Sequence, residues 1–168
     1  MLKTKGRIMA KNFILVALLA VAGFMTQPVI AEEFTKEEIE ETRKDAVKGD
    51  AKAQYYLGLI YREGHSVDQD YQKAIKWFRK SLEQGFADAQ NDLGTMYQDG
   101  LGVPEDQDKA NKLYRKAAKQ GHARAHLNLG LIYAQGLGVT QDYEEAAKWY
   151  RKAAKQGSAV AQLSLGVM

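Results

Sequence analysis

Residues 87–122 read ADAQNDLGTMYQDGLGVPEDQDKANKLYRKAAKQGH, and residues 123–158 read ARAHLNLGLIYAQGLGVTQDYEEAAKWYRKAAKQGS. Laid one under the other, they agree at 20 of 36 positions. Carrying the frame back to Ala51 and on to Ala159 brings Leu57, Leu93, Leu129 and Leu165 into one column. Gly58, Gly94, Gly130 and Gly166 fall in the next. Tyr61, Tyr97 and Tyr133 recur in the same way, as do Ala74, Ala110 and Ala146, and Gly85, Gly121 and Gly157. A period that holds to the residue marks an array in which each unit contacts mainly its neighbours.

Within each row the apolar spacing is helical. Ala53, Leu57, Gly58 and Tyr61 lie at i, i+4, i+5 and i+8, one arc of a first helix, A. Gly64, Gly100 and Gly136 end it, glycine being the residue that takes a left-handed backbone without strain. Asp70, Asp106 and Asp142 suit the N-cap of a second helix, B, with Glu145 placed to complete a capping box in the third row. Helix B buries Ala74, Trp77 or Phe78, and Leu82 in the first row, and Ala146, Trp149 or Tyr150, and Ala154 in the third. The expected fold is therefore all-α, an α-solenoid of antiparallel helix pairs. Glycine within a helix costs about 1 kcal/mol against alanine. Its return at 58, 94, 130 and 166 implies that a second helix backbone passes too close for a methyl group.

Composition narrows the function. The 168 residues contain no cysteine, which excludes a disulfide framework, a thiol nucleophile and a zinc ribbon. The net charge of +3 comes from the first 31 residues, which hold Lys3, Lys5, Arg7 and Lys11 and no acid. The remainder, with 20 basic and 21 acidic residues, lacks the positive excess of a nucleic-acid binder. Those four cations precede an apolar run from Phe13 to Met25, and Val29-Ile30-Ala31 ends in the small residues a signal peptidase reads. Residues 1–31 read as a secretory signal peptide cleaved after Ala31. As a retained anchor the run falls short of the ~20 apolar residues that span a bilayer. Export is expected, to a periplasm in the first place and otherwise outside the cell.

The expected organisation is a capping helix in 32–50, three repeats at 51–86, 87–122 and 123–158, and a partial fourth repeat, helix A only, at 159–168. Glu32, Glu33, Glu37, Glu38, Glu40 and Glu41 keep the front end wet. The partial row reads either as a makeshift cap or as a piece of a longer array.

The recurring pattern Ala-x-Ala-Gln-x-x-Leu-Gly-x-x-Tyr-x-x-Gly-x-Gly-Val-x-x-Asp-Tyr-x-x-Ala-x-x-Trp-Tyr-x-x-Ala-Ala-x-x-Gly resembles the Sel1-like repeat, a relative of the tetratricopeptide repeat. The resemblance runs from Ala51 to Met168. It departs at His65 and Ser66, where later rows have Leu-Gly, at Pro104 and Gln107, at Ser81-Leu82, and at His126 in a glutamine column. It implies a right-handed superhelix that serves as an adaptor or scaffold for protein partners.

If Leu57 and its arc face inward, the other side of helix A forms a continuous inner surface. Its columns hold Lys52, Tyr55, Leu59, Arg62 and Glu63; Asp88, Asn91, Thr95, Gln98 and Asp99; Arg124, Leu127, Leu131, Ala134 and Gln135; and Val160, Leu163 and Val167. They vary between rows while the core columns do not, as a binding face would, although solvent positions drift in the same way. The apolar and charged mixture suits an extended peptide or a partner helix. Lys76, Arg79 and Lys80 recur 36 and 72 residues on as a basic ridge along helix B. It reads as a solvated face that also favours the helix C-terminal dipole, or as a contact for an anionic envelope surface. His122 and His126, four apart, lack a third metal ligand, so no metal or other cofactor is expected. Cysteine-rich Sel1-like proteins carry an association with penicillin binding and β-lactamase activity. Here no Ser-x-x-Lys, Gly-x-Ser-x-Gly or His-Glu-x-x-His occurs. The expected function is a non-enzymatic, exported adaptor for a protein or peptide. Catalysis of the β-lactam type and a remnant of a longer array are the alternatives.

Overall fold

The structure, a computed structural model, describes residues 35–168, and the expected leader at 1–31 lies outside them. The helices are α1 Lys36–Val47, α2 Ala51–Glu63, α3 Tyr71–Glu83, α4 Ala87–Gln98, α5 Gln107–Lys119, α6 Ala123–Gln135, α7 Tyr143–Lys155 and α8 Ala159–Gly166, with no strand among the described residues. Helices α2, α4, α6 and α8 are A helices, and α3, α5 and α7 are B helices. The first pair is antiparallel: Ser81 Oγ near the end of α3 donates to Ala51 O at the start of α2 (2.6 Å), and Asp70 N before α3 donates to Tyr61 O near the end of α2 (2.8 Å). The α1 helix occupies the B position of a preceding row and packs Ile39 and Ala46 against Leu57 and Ile60 of α2.

Local chemistry sets the helix ends. Asp70, Asp106 and Asp142 each accept from the backbone N–H of N3, and Gly64, Gly100 and Gly136 take φ of 74°, 67° and 71°. The second glycine of each Gly-Leu-Gly turn, Gly102 and Gly138, is also left-handed. In the first row Ser66 adopts that conformation at φ 54°. The capping box expected at Glu145 does not form. The N–H of Asp142 that it would engage already donates to Tyr133 O (2.9 Å), and Glu145 pairs instead with Lys148 (3.0 Å). A capping box closes at the front of α1, between Thr35 and Glu38.

The helical glycines also have a different cause from the one expected. An ideal Cβ on Gly58, Gly94 or Gly130 would lie 2.6, 2.9 or 2.4 Å from a ring carbon of Phe78, Tyr114 or Tyr150, so an aromatic ring of helix B, not a backbone, takes the space. Those three rings are the buried members of the aromatic positions, while Trp77 and Trp149 are half-buried. Gly166 has nothing within 4 Å of such a Cβ.

A glutamine clasp joins successive repeats. Gln54 Nε2 donates to Ala46 O on the preceding helix (3.1 Å), and Gln84 Nε2 reaches both Gln54 Oε1 (2.8 Å) and Gly49 O (2.9 Å). His126 stands in this column and keeps its bonds: Nε2 lies 3.1 Å from Ala118 O and Nδ1 3.2 Å from Gln156 Oε1. His122 caps α6 by accepting from Ala125 N (3.2 Å) and faces Asp88 with its other nitrogen (3.3 Å). The two imidazoles thus serve separate helix contacts. His126→Gln therefore leaves the thermal midpoint within about 2 °C, whereas His126→Leu removes the ring N–H, leaves a buried acceptor unpaired and lowers the unfolding free energy by about 1–2 kcal/mol, measured by urea unfolding at neutral pH.

Candidate interaction surface

The inner side of the A helices is a stepped seam as well as a face. Because adjacent A helices stack side by side, the residue in one column reaches the next column of the following repeat. Tyr55 Oη of α2 donates to Asp92 Oδ2 of α4 (3.0 Å), and Asn128 Nδ2 of α6 donates to Asn91 Oδ1 of α4 (3.1 Å). Asn91 Nδ2 in turn donates to Asp92 Oδ1 (2.9 Å), so one chain of hydrogen bonds runs across three repeats. Arg62 completes it, Nη1 donating to Asp92 Oδ2 (3.2 Å) and Nε to Glu63 Oε1 (2.6 Å).

This seam corrects the expected exposure. Tyr55 and Asn91 are 8% and 3% exposed, closed off by the neighbouring A helix, and Tyr55 also packs among Tyr56, Phe78 and Phe86. Burial, reinforced by the Asp92 carboxylate, holds the Tyr55 hydroxyl far above the ordinary phenol range. Burial opposes the charge on Arg62, but Asp92 and Glu63 outweigh it and raise its pKa. Asp92, 5% exposed, is the hub that the column reading missed. Its signal was one mid-helix carboxylate in a column where the other rows have Tyr56, Asn128 and Ser164.

The remaining face residues fall into two groups. Thr95 and Gln98 are half-buried, and the hydroxyl of the buried Tyr114 lies 3.1 Å from both Thr95 Oγ1 and Gln98 Oε1. Burial pushes that phenol up to about 12. The half-buried Asp88 has its carboxyl held below the ordinary range, first by the hydrogen bond to His122. Lys52, Leu59, Leu127 and Leu131 are half-buried, and Arg124 and Gln135 are exposed. Lys52 Nζ sits 5.6 Å from the centre of the Tyr56 ring, which adds a half-buried aromatic to the face. Farther along, Leu127 and Leu131 rest on the core around Tyr150, and Leu163 of α8 is 71% exposed. On α6 and α8 the face thus adds apolar side chains, Leu127, Leu131 and Leu163, beside the exposed Arg124 and Gln135. Beside its first half opens a cleft of about 280 Å³ lined by Arg62, Glu63, Gln69, Tyr71, Thr95, Met96 and Leu101. Among the described residues no helix is long and apolar enough to cross a membrane, and no cluster of three or more His, Asp or Glu side chains is placed to hold a metal ion.

Antiparallel helix pairs at a fixed period, with a seam and a variable face on one layer, define a helical-repeat protein of the solenoid class. The chain belongs to the Sel1 repeat family, whose model matches residues 51–86, 87–122 and 123–158. Among solved structures it is similar to a Sel1 repeat protein from Oxalobacter formigenes, at 38% identity and a TM-score of 0.74, over 77% of this chain and 53% of that one. A protective antigen of uropathogenic Escherichia coli strains with an SLR fold is similar at 42% identity and 0.74, over 76% of this chain and 27% of that one. Helicobacter pylori cysteine rich protein B is similar at 26% identity and 0.63, over 80% and 98%. The chain thus spans about half of the first of these and about a quarter of the second. No curated protein matches it.

Proposed function

We propose that this chain is an exported, non-catalytic adaptor that binds an extended segment or a helix of another protein along the open side of its A helices. The observation that carries the reading is the contrast within each repeat: aromatic, glycine and N-cap columns recur, while the face columns change from row to row. The hydrogen-bonded seam beneath them holds those changing side chains on a rigid base, which lowers the ordering cost of binding. Lys52, Tyr56, Leu59 and Thr95 offer a mixed contact at one end, and Leu127 and Leu131 an apolar one at the other. The cleft beside Arg62 lies at the lower edge of the ~300–1,000 Å³ range of small-molecule sites and suits one anchoring side chain of a partner. Export rests on the leader-like residues 1–31.

The test is affinity capture from envelope and secreted fractions, using the wild type beside Lys52→Glu, Leu59→Ser, Arg124→Glu and Leu127→Ser combined. These positions avoid the buried seam, and matched circular dichroism confirms that the variant keeps its helices. A partner held by the wild type and depleted at least about tenfold with the variant, as expected when interface contacts of ~1 kcal/mol or more are lost, supports the reading. Equal recovery by both overturns it.

A further inference from the structure

The outer layer carries a feature that partner binding on the A helices does not use. Helices α3, α5 and α7 together hold thirteen lysines and arginines against four acids. In the first half of each helix the charge is locally balanced: Lys73 pairs with Asp70, Lys109 with Asp106, and Lys148 with Glu145. In the second half it is not. Arg79 and Lys80, and their equivalents 36 and 72 residues on, are exposed and have no carboxylate partner among the described residues. Lys76 and Lys112 add to them at i−3 and i−4. Like charges at these spacings repel and weaken a helix, yet the set is repeated in every row.

Several of these cations are also held in place without being neutralised. Arg79 Nη2 donates to Tyr97 Oη (2.9 Å) and Arg115 Nη2 to Tyr133 Oη (2.5 Å), each phenol belonging to the next A helix. Lys80 Nζ rests 4.7 Å from the centre of the Trp77 ring, and Lys152 Nζ 4.0 Å from that of Trp149. We infer that this ordered field of charge on the B helices docks the protein on an anionic phospholipid surface. Headgroup phosphates supply the missing counter-charge over three neighbouring helices at once, and each cation near such a surface adds to the attraction. Two features favour a bilayer over a nucleic acid. The charge is spread over a layer of helices, with its two tryptophans half-buried beneath lysines instead of open for base stacking. The export proposed above from the leader-like residues 1–31 favours an envelope surface over a nucleic acid. Docking by the B layer leaves the A-helix face free, so this inference, which rests on the proposed export, stands or falls separately from partner binding on that face.

The experiment is flotation of the full chain with vesicles of phosphatidylcholine alone or mixed with phosphatidylglycerol, at low and high ionic strength. The leader contributes equally to every sample, so the readout is the increment due to phosphatidylglycerol. That increment is expected to fall at least about tenfold in Lys112→Gln, Arg115→Gln, Lys116→Gln combined, to vanish at high salt, and to persist in Lys36→Gln, Lys48→Gln, Arg124→Gln, which removes equal charge outside that ridge. The same loss in Lys76→Gln, Arg79→Gln, Lys80→Gln checks the result on the neighbouring helix. No increment for the wild type, an equal fall in both kinds of variant, or tighter binding to duplex DNA than to phosphatidylglycerol vesicles at the same salt overturns the inference.

Discussion

Phe78→Ala lowers the unfolding free energy by about 4 kcal/mol, the range for emptying a buried aromatic site. The ring is fully buried, lies across Gly58, packs near Tyr55 and sits 5.9 Å from the Arg62 guanidinium, so its loss opens the first repeat from core to seam. A second substitution shows why the glycine column exists. In the wild type, Gly58→Ala forces a methyl to within 2.6 Å of two ring carbons, and overpacking of about 1–3 kcal/mol outweighs the gain of about 1 kcal/mol in helix propensity. In the Phe78→Ala background the clash is gone, and the same change stabilises by about 1 kcal/mol. A urea-unfolding double-mutant cycle reads this reversal of sign directly. Equal destabilisation in both backgrounds would show that something other than the ring selects glycine.

Asp92→Ala comes next in size, at about 3 kcal/mol. It removes the acceptor shared by Tyr55, Arg62 and Asn91, leaving a buried hydroxyl, a buried amide and a guanidinium without their partner. Breaking a fully buried ion pair costs about 3–5 kcal/mol, and the 23% exposure of Arg62 places this case at the low end because water reaches the freed cation. Asp92→Asn keeps one acceptor oxygen and loses the charge, for about half the cost. Hydrogen exchange in Asp92→Ala shows faster opening of α2 and α4 together, since the carboxylate ties one to the other. Destabilisation confined to α4 would contradict its role as a link between repeats.

What was legible in the sequence was local or periodic. The aspartates at 70, 106 and 142 and the glycines at 64, 100 and 136 act on backbone groups a few residues away, so their roles could be read in place. The helix pairs followed from spacing alone. Contacts between rows were harder to read. A helix on its own has an inner and an outer side, but a stacked helix has flanks as well, and Tyr55 and Asn91 lie on a flank. The spacing of Gly58 and its equivalents showed that room was needed, without showing that a ring fills it. Glu145 had the right offset for a capping box, but the carbonyl of Tyr133 on the preceding helix of the same repeat had taken the N–H. Asp92 was passed over because it sits one column beyond the face, where only the neighbouring repeat reveals its partners.

These corrections narrow the proposed binding face without moving it. Seam residues join adjacent A helices, and the half-buried or exposed side chains above them, Lys52, Leu59, Arg124, Leu127, Leu131 and Gln135, are the contacts proposed for a partner. The most direct test is site-specific photocross-linking in the native envelope, with the photoreactive residue placed singly at Leu59, Gln135 or Arg151. The adaptor reading predicts one discrete protein adduct from Leu59 and Gln135 on the A layer and none from Arg151 on the B layer. The same adduct from Arg151, with none from the A-layer positions, would contradict it.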